Sequence, residues 1–221
     1  MANAAISDPV TSGETRFSYA CSGCGGCCRG TRIQLNPYET ARLARRLGES
    51  VEGFRVGWTR DGVALQQGED GGCVFLGAAG CTVYSDRPLV CRLYPLGRHI
   101  DETGHVRYSR AGGIPGPQGA FGETGTVQAF LQSQGAADFI AAADGYFNWY
   151  CKATQAVDSA AAGEGEGADE TYDDLLNLDA VVDAYCARTG QEAPGSLEGR
   201  MALHLQRLHA LLSPKETPHA S

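Results

Sequence analysis

Four thiols fall within eight residues at Cys21-Ser-Gly-Cys24-Gly-Gly-Cys27-Cys28, with only Ser and Gly between them. This octet constrains the fold more than any other stretch. Glycine takes the positive φ that a tight loop needs, so the backbone can wrap the sulfurs around a common centre. Thiolates held that close repel one another unless a cation sits among them, which points to a metal site. Three more cysteines follow at Cys73, Cys81 and Cys91, so seven of the nine lie between positions 21 and 91. Cys151 and Cys186 stand apart.

Disulfide pairing is the rival use of clustered cysteines. Met1-Ala-Asn-Ala-Ala-Ile-Ser-Asp-Pro has neither the basic region nor the apolar segment of a secretory signal. The expectation is therefore a cytoplasmic protein, where thiols stay reduced and bind metal. An odd cysteine count also argues against a closed disulfide framework. A thioredoxin-like CxxC opens a helix, whereas Cys24 is followed by Gly-Gly-Cys-Cys, which does not read as one.

The 221 residues suit one domain, or one domain with an appendage, and the 43% of hydrophobic residues supports a core. No apolar run approaches the roughly 18 residues of a membrane span, so no membrane partner is expected. Charge is uneven. Residues 29–110 carry 12 Arg against 9 acids, while residues 111–221 carry 5 Lys or Arg against 15 acids. The chain as a whole is at −8, a poor basis for binding nucleic acid. The arginines near the cysteines can balance a thiolate-rich centre.

Taken in order, residues 1–14 read as a flexible tail and 15–125 as the cysteine-cluster metal-binding domain. Residues 126–158 read as a helical extension, 159–170 as a flexible acidic linker, and 171–213 as C-terminal helices. Arg16-Phe-Ser-Tyr19 and Thr31-Arg-Ile-Gln-Leu35 read as short strands entering and leaving the octet. Asn36-Pro37-Tyr-Glu39 is a helix start, with Asn as N-cap, Pro first and Glu third. Leu43, Ala44 and Leu47 give that helix its apolar face, Gly48 ends it, and Arg42, Arg45 and Arg46 are expected on a solvated face. Cys73-Val-Phe-Leu76 and Cys81-Thr-Val-Tyr84 read as a hairpin closed by the four residues 77–80. A second hairpin is expected around Asp101-Glu-Thr-Gly104. Residues 111–125 read as a Gly/Pro loop without a phosphate-binding fingerprint. The last helix carries Leu197, Met201, Leu205, Leu208 and Leu212 at steps of three and four. The expected fold class is α+β: a small irregular cysteine-rich metal-binding domain with short strands and hairpins, followed by a helical C-terminal half.

The metal is less constrained than its ligands. Cys21-x2-Cys24-x2-Cys27 has the opening spacing of a bacterial ferredoxin loop, which holds [4Fe–4S]. Structural zinc favours two CxxC-type knuckles, and only the first half has that spacing. Seven thiols and one further ligand can fill two tetrahedral sites. They can equally make one four-thiolate site and one three-ligand site with an open position.

The octet, Cys73, and Cys81-Thr-Val-Tyr84-Ser-Asp-Arg87-Pro88-Leu-Val-Cys91-Arg92-Leu-Tyr94-Pro95 together resemble the YkgJ-type cysteine-cluster family, the CxxCxxCC pattern described as chelating zinc or iron. The cysteine-rich segment of flagellin lysine N-methylases is similar. The resemblance covers roughly residues 18–120. It implies a zinc or iron centre, with a [4Fe–4S] cluster among the forms it can take, on Cys21, Cys24, Cys27, Cys28, Cys73, Cys81 and Cys91. The family usually carries a further Cys before a Pro-Gly, and Ile114 stands at that position here. Candidates for an eighth ligand are therefore His99, His105, Cys151 or solvent. Cys186 sits on an amphipathic helix and reads as core. Arg87 and Arg92 are expected beside the centre, donating to thiolate sulfurs or loop carbonyls.

Three functions follow as expectations. The first is a metal-binding protein whose metal organises the loops. The second is an iron–sulfur or open-site metal enzyme doing redox or group-transfer chemistry, as the methylase resemblance implies. The third is an adaptor in which the metal domain is structural and the C-terminal helices bind a protein partner. No nucleophile–base pair or cofactor fingerprint stands out in favour of the second.

Overall fold

Short strands follow from the glycine and proline punctuation, and each finds an antiparallel partner close by. The computed structural model describes residues 7–10, 12–101, 103–110, 119–161 and 172–212. Its first half contains β1 (Ser7–Val10), β2 (Arg16–Ala20), α1 (Pro37–Leu47), α2 (Val51–Trp58), β3 (Thr59–Arg60), β4 (Ala64–Leu65), β5 (Leu76–Gly77) and β6 (Gly80–Cys81). Then come α3 (Leu89–Leu93), β7 (Leu96–Ile100), β8 (Val106–Arg110), β9 (Ala120–Thr126) and α4 (Val127–Ser133). The chain continues through α5 (Ala137–Ala161), α6 (Tyr172–Leu175), α7 (Leu178–Thr189) and α8 (Leu197–Leu211). The fold class is α+β with a helical C-terminal half.

Contacts divide the chain into two compact units, Met1–Leu35 with Trp58–Ile140 and Asn36–Gly57 with Ala141–Ser221. In the first unit, β1, β8 and β7 form a three-stranded sheet, while β2 pairs β9, β3 pairs β4 and β5 pairs β6. Phe17, Leu93, Leu96, Val127, Phe130, Leu131 and Ala136 make its core, with Tyr19 and Tyr108 packed against it. Phe17 and Phe130 meet edge to face at 5.1 Å between ring centroids. Trp58 stacks on Phe75 at 5.2 Å between ring centroids.

The second unit is helical. α1 carries the full capping box expected at its start: Asn36 accepts from Glu39 N, and the Glu39 carboxylate accepts from Asn36 N. Helices α1, α7 and α8 pack together. Arg42 and Arg45, expected on a solvated face, instead reach neighbouring helices. Arg42 donates to the Tyr38 hydroxyl at 3.1 Å, and that hydroxyl donates to Glu198 of α8. Arg45 pairs with Asp179 of α7. Helical periodicity shows that a face is polar, but not whether another helix's polar edge meets it.

Two other expectations change. Ala120–Thr126, overlapping the end of the stretch read as a Gly/Pro loop, is strand β9, pairing Ser18 with Gly122 and Tyr19 with Phe121. The glycines serve close approach. A Cβ on Gly122 would lie 2.7 Å from Ser18 Oγ, and one on Gly125 would lie 3.3 Å from the Phe17 carbonyl oxygen. Ser7–Val10, within the stretch read as a tail, pairs with β8 as an edge strand. The Ile114 position lies outside the described residues, as does most of the expected linker, from 162 onward.

Candidate metal centre

The octet leaves β2 and turns on glycine. Gly23, Gly25 and Gly30 all take φ near +70°, a conformation that side-chain-bearing residues rarely adopt. Gly26–Cys28 forms one short 3-10 turn, which sets Cys27 and Cys28 side by side. The strand-like exit then ties the octet to the hairpin: Cys73 N donates to the Cys28 carbonyl at 2.8 Å, and Arg29 bridges Gly72. The hairpin is tighter than expected. Gly77 pairs with Gly80 and Leu76 with Cys81, so the connection is only Ala78-Ala79. Cys91 sits in the short helix α3, its N–H bonded to the Pro88 carbonyl.

Four cysteines share one local geometry. The N–H of Gly23 donates to Cys21 Sγ at 3.4 Å, and the N–H of Gly26 donates to Cys24 Sγ at 3.5 Å. The N–H of Phe75 donates to Cys73, and that of Val83 to Cys81. In each case the donor is two residues beyond the cysteine. An N–H aimed at sulfur favours the thiolate, the form that ligates metal. These donors oppose burial, which pushes the Cys73 and Cys81 thiols up. At Cys81 the nearby Arg87 charge acts in the same direction as the Val83 N–H.

Cys27 and Cys28 form a coupled pair. The Cys27 thiol donates to Cys28 sulfur, which raises Cys27 and lowers Cys28. Cys28 is thus the first of the two to ionise, despite burial and the charges of Cys91, Cys81 and Cys73.

Cys21, Cys27, Cys28, Cys73, Cys81 and Cys91 line one cavity of about 460 Å³. Cys24 lines a shallow neighbouring depression with Gly23, Gly25 and Leu76. The remaining cavity wall is mostly apolar, including Ile33, Phe75, Val83 and Phe130, and contains no His, Asp or Glu. Cysteine sulfurs are therefore its soft donors. The sulfurs ring this space without closing on a point. As they stand, no three His, Cys, Asp or Glu side chains among the described residues form a group that could hold one ion.

Arg87 and Arg92 serve mainly as a frame. Arg92 is buried and donates to the carbonyls of Arg87, Gln134 and Ser85 at 2.9, 2.8 and 2.5 Å, with its guanidinium over the Phe139 ring. Arg87 lines the cavity, donates to the Tyr84 carbonyl and to Gln134 Oε1, and lies over the Tyr84 ring. The two arginines fix the turn between Cys81 and Cys91.

Of the candidates for an eighth ligand, His99 is engaged with Ser109 Oγ at 2.8 Å. Exposed His105 faces Asp101 at the tip of the β7–β8 hairpin. Cys151 lies on α5 in the second unit, and Cys186 is buried on α7 as expected. Sequence reasoning missed Tyr19, Tyr94 and Gln134, all of which line the cavity. Tyr19 was detectable: it lies two residues before Cys21 on a strand whose alternation puts it on the same face as Phe17. Tyr94 and Gln134 are brought there only by tertiary structure.

Residues 20–109 match the model of the CxxCxxCC family, described as "Putative zinc- or iron-chelating domain". No curated protein and no solved structure matches the chain.

Proposed function

We propose that residues 20–109 bind zinc or iron through Cys21, Cys24, Cys27, Cys28, Cys73, Cys81 and Cys91. The carrying observation is that six of these cysteines line one cavity in which no other soft donor stands. The match to a chelating family supports the same reading. The donor set fits a thiophilic ion, since zinc and iron both accept all-thiolate coordination. The N–H groups of Gly23, Gly26, Phe75 and Val83 hold sulfur acceptors in place. Binding would draw the ring of sulfurs inward. The bound metal would supply cross-links between loops that share little regular structure.

A cavity of about 460 Å³ is many times the roughly 30 Å³ of one water, so it has room for two ions or a cluster. A second reading, metal-dependent chemistry, draws on the exposure of Cys21 and Cys24 to solvent. A metal kept only for structure is more often closed off by its ligands.

The test is anaerobic purification followed by elemental analysis, acid-labile sulfide determination and an absorption spectrum. About one or more zinc or iron per chain is expected. Sulfide in stoichiometric amount would identify an iron–sulfur cluster, and its absence mononuclear ions. Protein that takes up neither metal, even after reduction and reconstitution, would overturn the reading.

A further inference from the structure

Helix α7 carries two apolar stripes, and only one of them is buried. Leu178, Val182 and Cys186 recur every four residues and form the buried one. Ala180, Val181, Ala184 and Tyr185 form the second, on an adjacent side of the helix, and are exposed or half-buried. The second stripe lines a groove of about 280 Å³ together with Leu175 of α6 and Leu211 at the end of α8. Leu211 is 51% exposed. The groove lies wholly within the second unit, so nothing in it depends on the metal centre of the first. An amphipathic helix hides one stripe in its core, and a second apolar stripe left open marks a contact surface when charged groups stand beside it.

Two arginines supply that charge. Arg207 of α8 and Arg188 of α7 both line the groove, with their guanidinium carbons 4.3 and 5.8 Å from the centroid of the Tyr185 ring. Carboxylates are plentiful in this part of the chain, where residues 111–221 carry 15 acids against 5 Lys or Arg. Arg200 accordingly takes two of them, Asp179 and Asp183. Arg188 and Arg207 take none among the described residues and rest on Tyr185 instead. A guanidinium resting on a ring keeps its N–H edge for a carboxylate, which it can grip with two parallel hydrogen bonds. We propose that this groove docks an acidic, leucine-bearing segment of a partner protein. The partner's aliphatic side chains cover the open stripe of α7, and its carboxylates pair with Arg188 and Arg207. Asp174 also lines the groove, so the occupant meets one like charge and two opposite ones. A single-stranded nucleic acid fits less well, because the surplus of acids repels a polyanion and the aliphatic floor suits leucine rather than a base.

The probe is a fluorescein-labelled peptide, Glu-Leu-Asp-Glu-Leu-Leu-Asp-Glu, titrated with the full chain and read by fluorescence anisotropy. Saturable binding is expected, weakening as salt rises from about 50 to about 200 mM. One control peptide replaces its acids with Gln and Asn, and a second replaces its leucines with Ser. Each should bind the wild type at least about tenfold more weakly than the acidic peptide. The double variant Arg188→Gln/Arg207→Gln should lose at least about tenfold for the acidic peptide while binding the Gln/Asn peptide as the wild type does. If that variant fails to fold, the three peptides on the wild type decide. No saturable binding of the acidic peptide overturns the proposal, as does equal affinity for either control, or a folded double variant that binds like the wild type. A single-stranded oligonucleotide that binds more tightly than the peptide overturns it in favour of nucleic acid. A sedimenting dimer that the double variant dissociates puts a second copy in the groove instead. Binding seen only after deletion of residues 164–170 puts the chain's own acidic segment there, and likewise overturns the partner.

Discussion

The Cys73 backbone N–H donates to the Cys28 carbonyl oxygen at 2.8 Å, making the last cysteine of the octet a hydrogen-bonded neighbour of the hairpin's first. The two cysteine-bearing stretches are therefore joined directly by main chain. Cys28 also accepts a hydrogen bond from the Cys27 thiol and feels the charges of Cys73, Cys81 and Cys91. Cys28→Ser should consequently lower metal stoichiometry by at least one ion per chain. Cys151→Ser and Cys186→Ser, on helices of the second unit, should leave it unchanged. Elemental analysis of the three variants checks this, and a loss at Cys151 or Cys186 would make that residue a ligand.

The octet and helix α1 were legible because their signals are local. Thiol spacing is written in the chain, and the α1 capping box joins residues three apart. Strand β9 was not legible, because its glycines read as loop until Ser18 and Phe17 are seen lying where their side chains would be. The frame made by Arg92 was only half legible. Its neighbourhood to Cys91 is sequence, but its partner Gln134 lies 42 residues on. Contacts of that range depend on how helices α3 and α4 pack, which no periodicity encodes.

Arg92 illustrates how a buried cation can be structural. Replacing it with methionine keeps contact with Phe139 but strands three carbonyl oxygens, those of Arg87, Ser85 and Gln134. Unsatisfied buried acceptors cost about 1–3 kcal/mol each where water cannot reach them. Arg92→Met should therefore destabilise the first unit by about 2–4 kcal/mol in denaturant titration. A loss under about 0.5 kcal/mol, typical of a surface substitution, would show that those carbonyls find other partners.

Gly119 has no room for a side chain. A Cβ built there would lie 2.1 Å from the Tyr19 hydroxyl oxygen and 2.2 Å from the ring carbon that carries it. Gly119→Ala should push the Tyr19 ring out of its place in the cavity wall and cost about 1–3 kcal/mol, as overpacking does. The Tyr19 ring resonances in an NMR spectrum should move, whereas those of Tyr146 in the second unit should not. An unshifted Tyr19 would mean that the backbone at Gly119 yields instead.

His204 should make the second unit sensitive to acid. Its Nε2 faces the Leu175 carbonyl at 2.9 Å, so it carries the proton, and its Nδ1 accepts from the Tyr146 hydroxyl at 2.9 Å. Burial holds its pKa down to about 4, against smaller upward pulls from the Leu175 carbonyl and Asp179. An unfolded histidine titrates near 6.5, so below that pH the unfolded chain binds the extra proton and gains. Stability is therefore full above about pH 6.5 and falls as pH drops toward 4, by about 3 kcal/mol once both states are protonated. His204→Gln removes the titration, and its unfolding midpoint should vary less between pH 7 and pH 4.5 than that of the wild type. Parallel curves would show that the imidazole is not held neutral.

Metal removal should affect the two units unequally. In the first unit, the stretches carrying the thiols contain two-residue strands, short turns and three glycines at positive φ between positions 23 and 30. Ordering such backbone costs about 1–2 kcal/mol per residue, and little local packing offsets it. Metal–thiolate binding can supply on the order of 10 kcal/mol, comparable with the stability of a whole domain. The helices of the second unit rest on buried Leu178, Val182, Leu197 and Leu208 and on the Arg200 pairs with Asp179 and Asp183. A chelator touches none of these. Hydrogen exchange measured on the full chain before and after anaerobic chelation should show protection lost across residues 21–30 and 72–91 and retained in α7 and α8. Unchanged protection across the cysteine loops would mean that the core around Phe17 and Phe130 holds that unit alone. The thiols would then be free to serve chemistry at the metal rather than the fold.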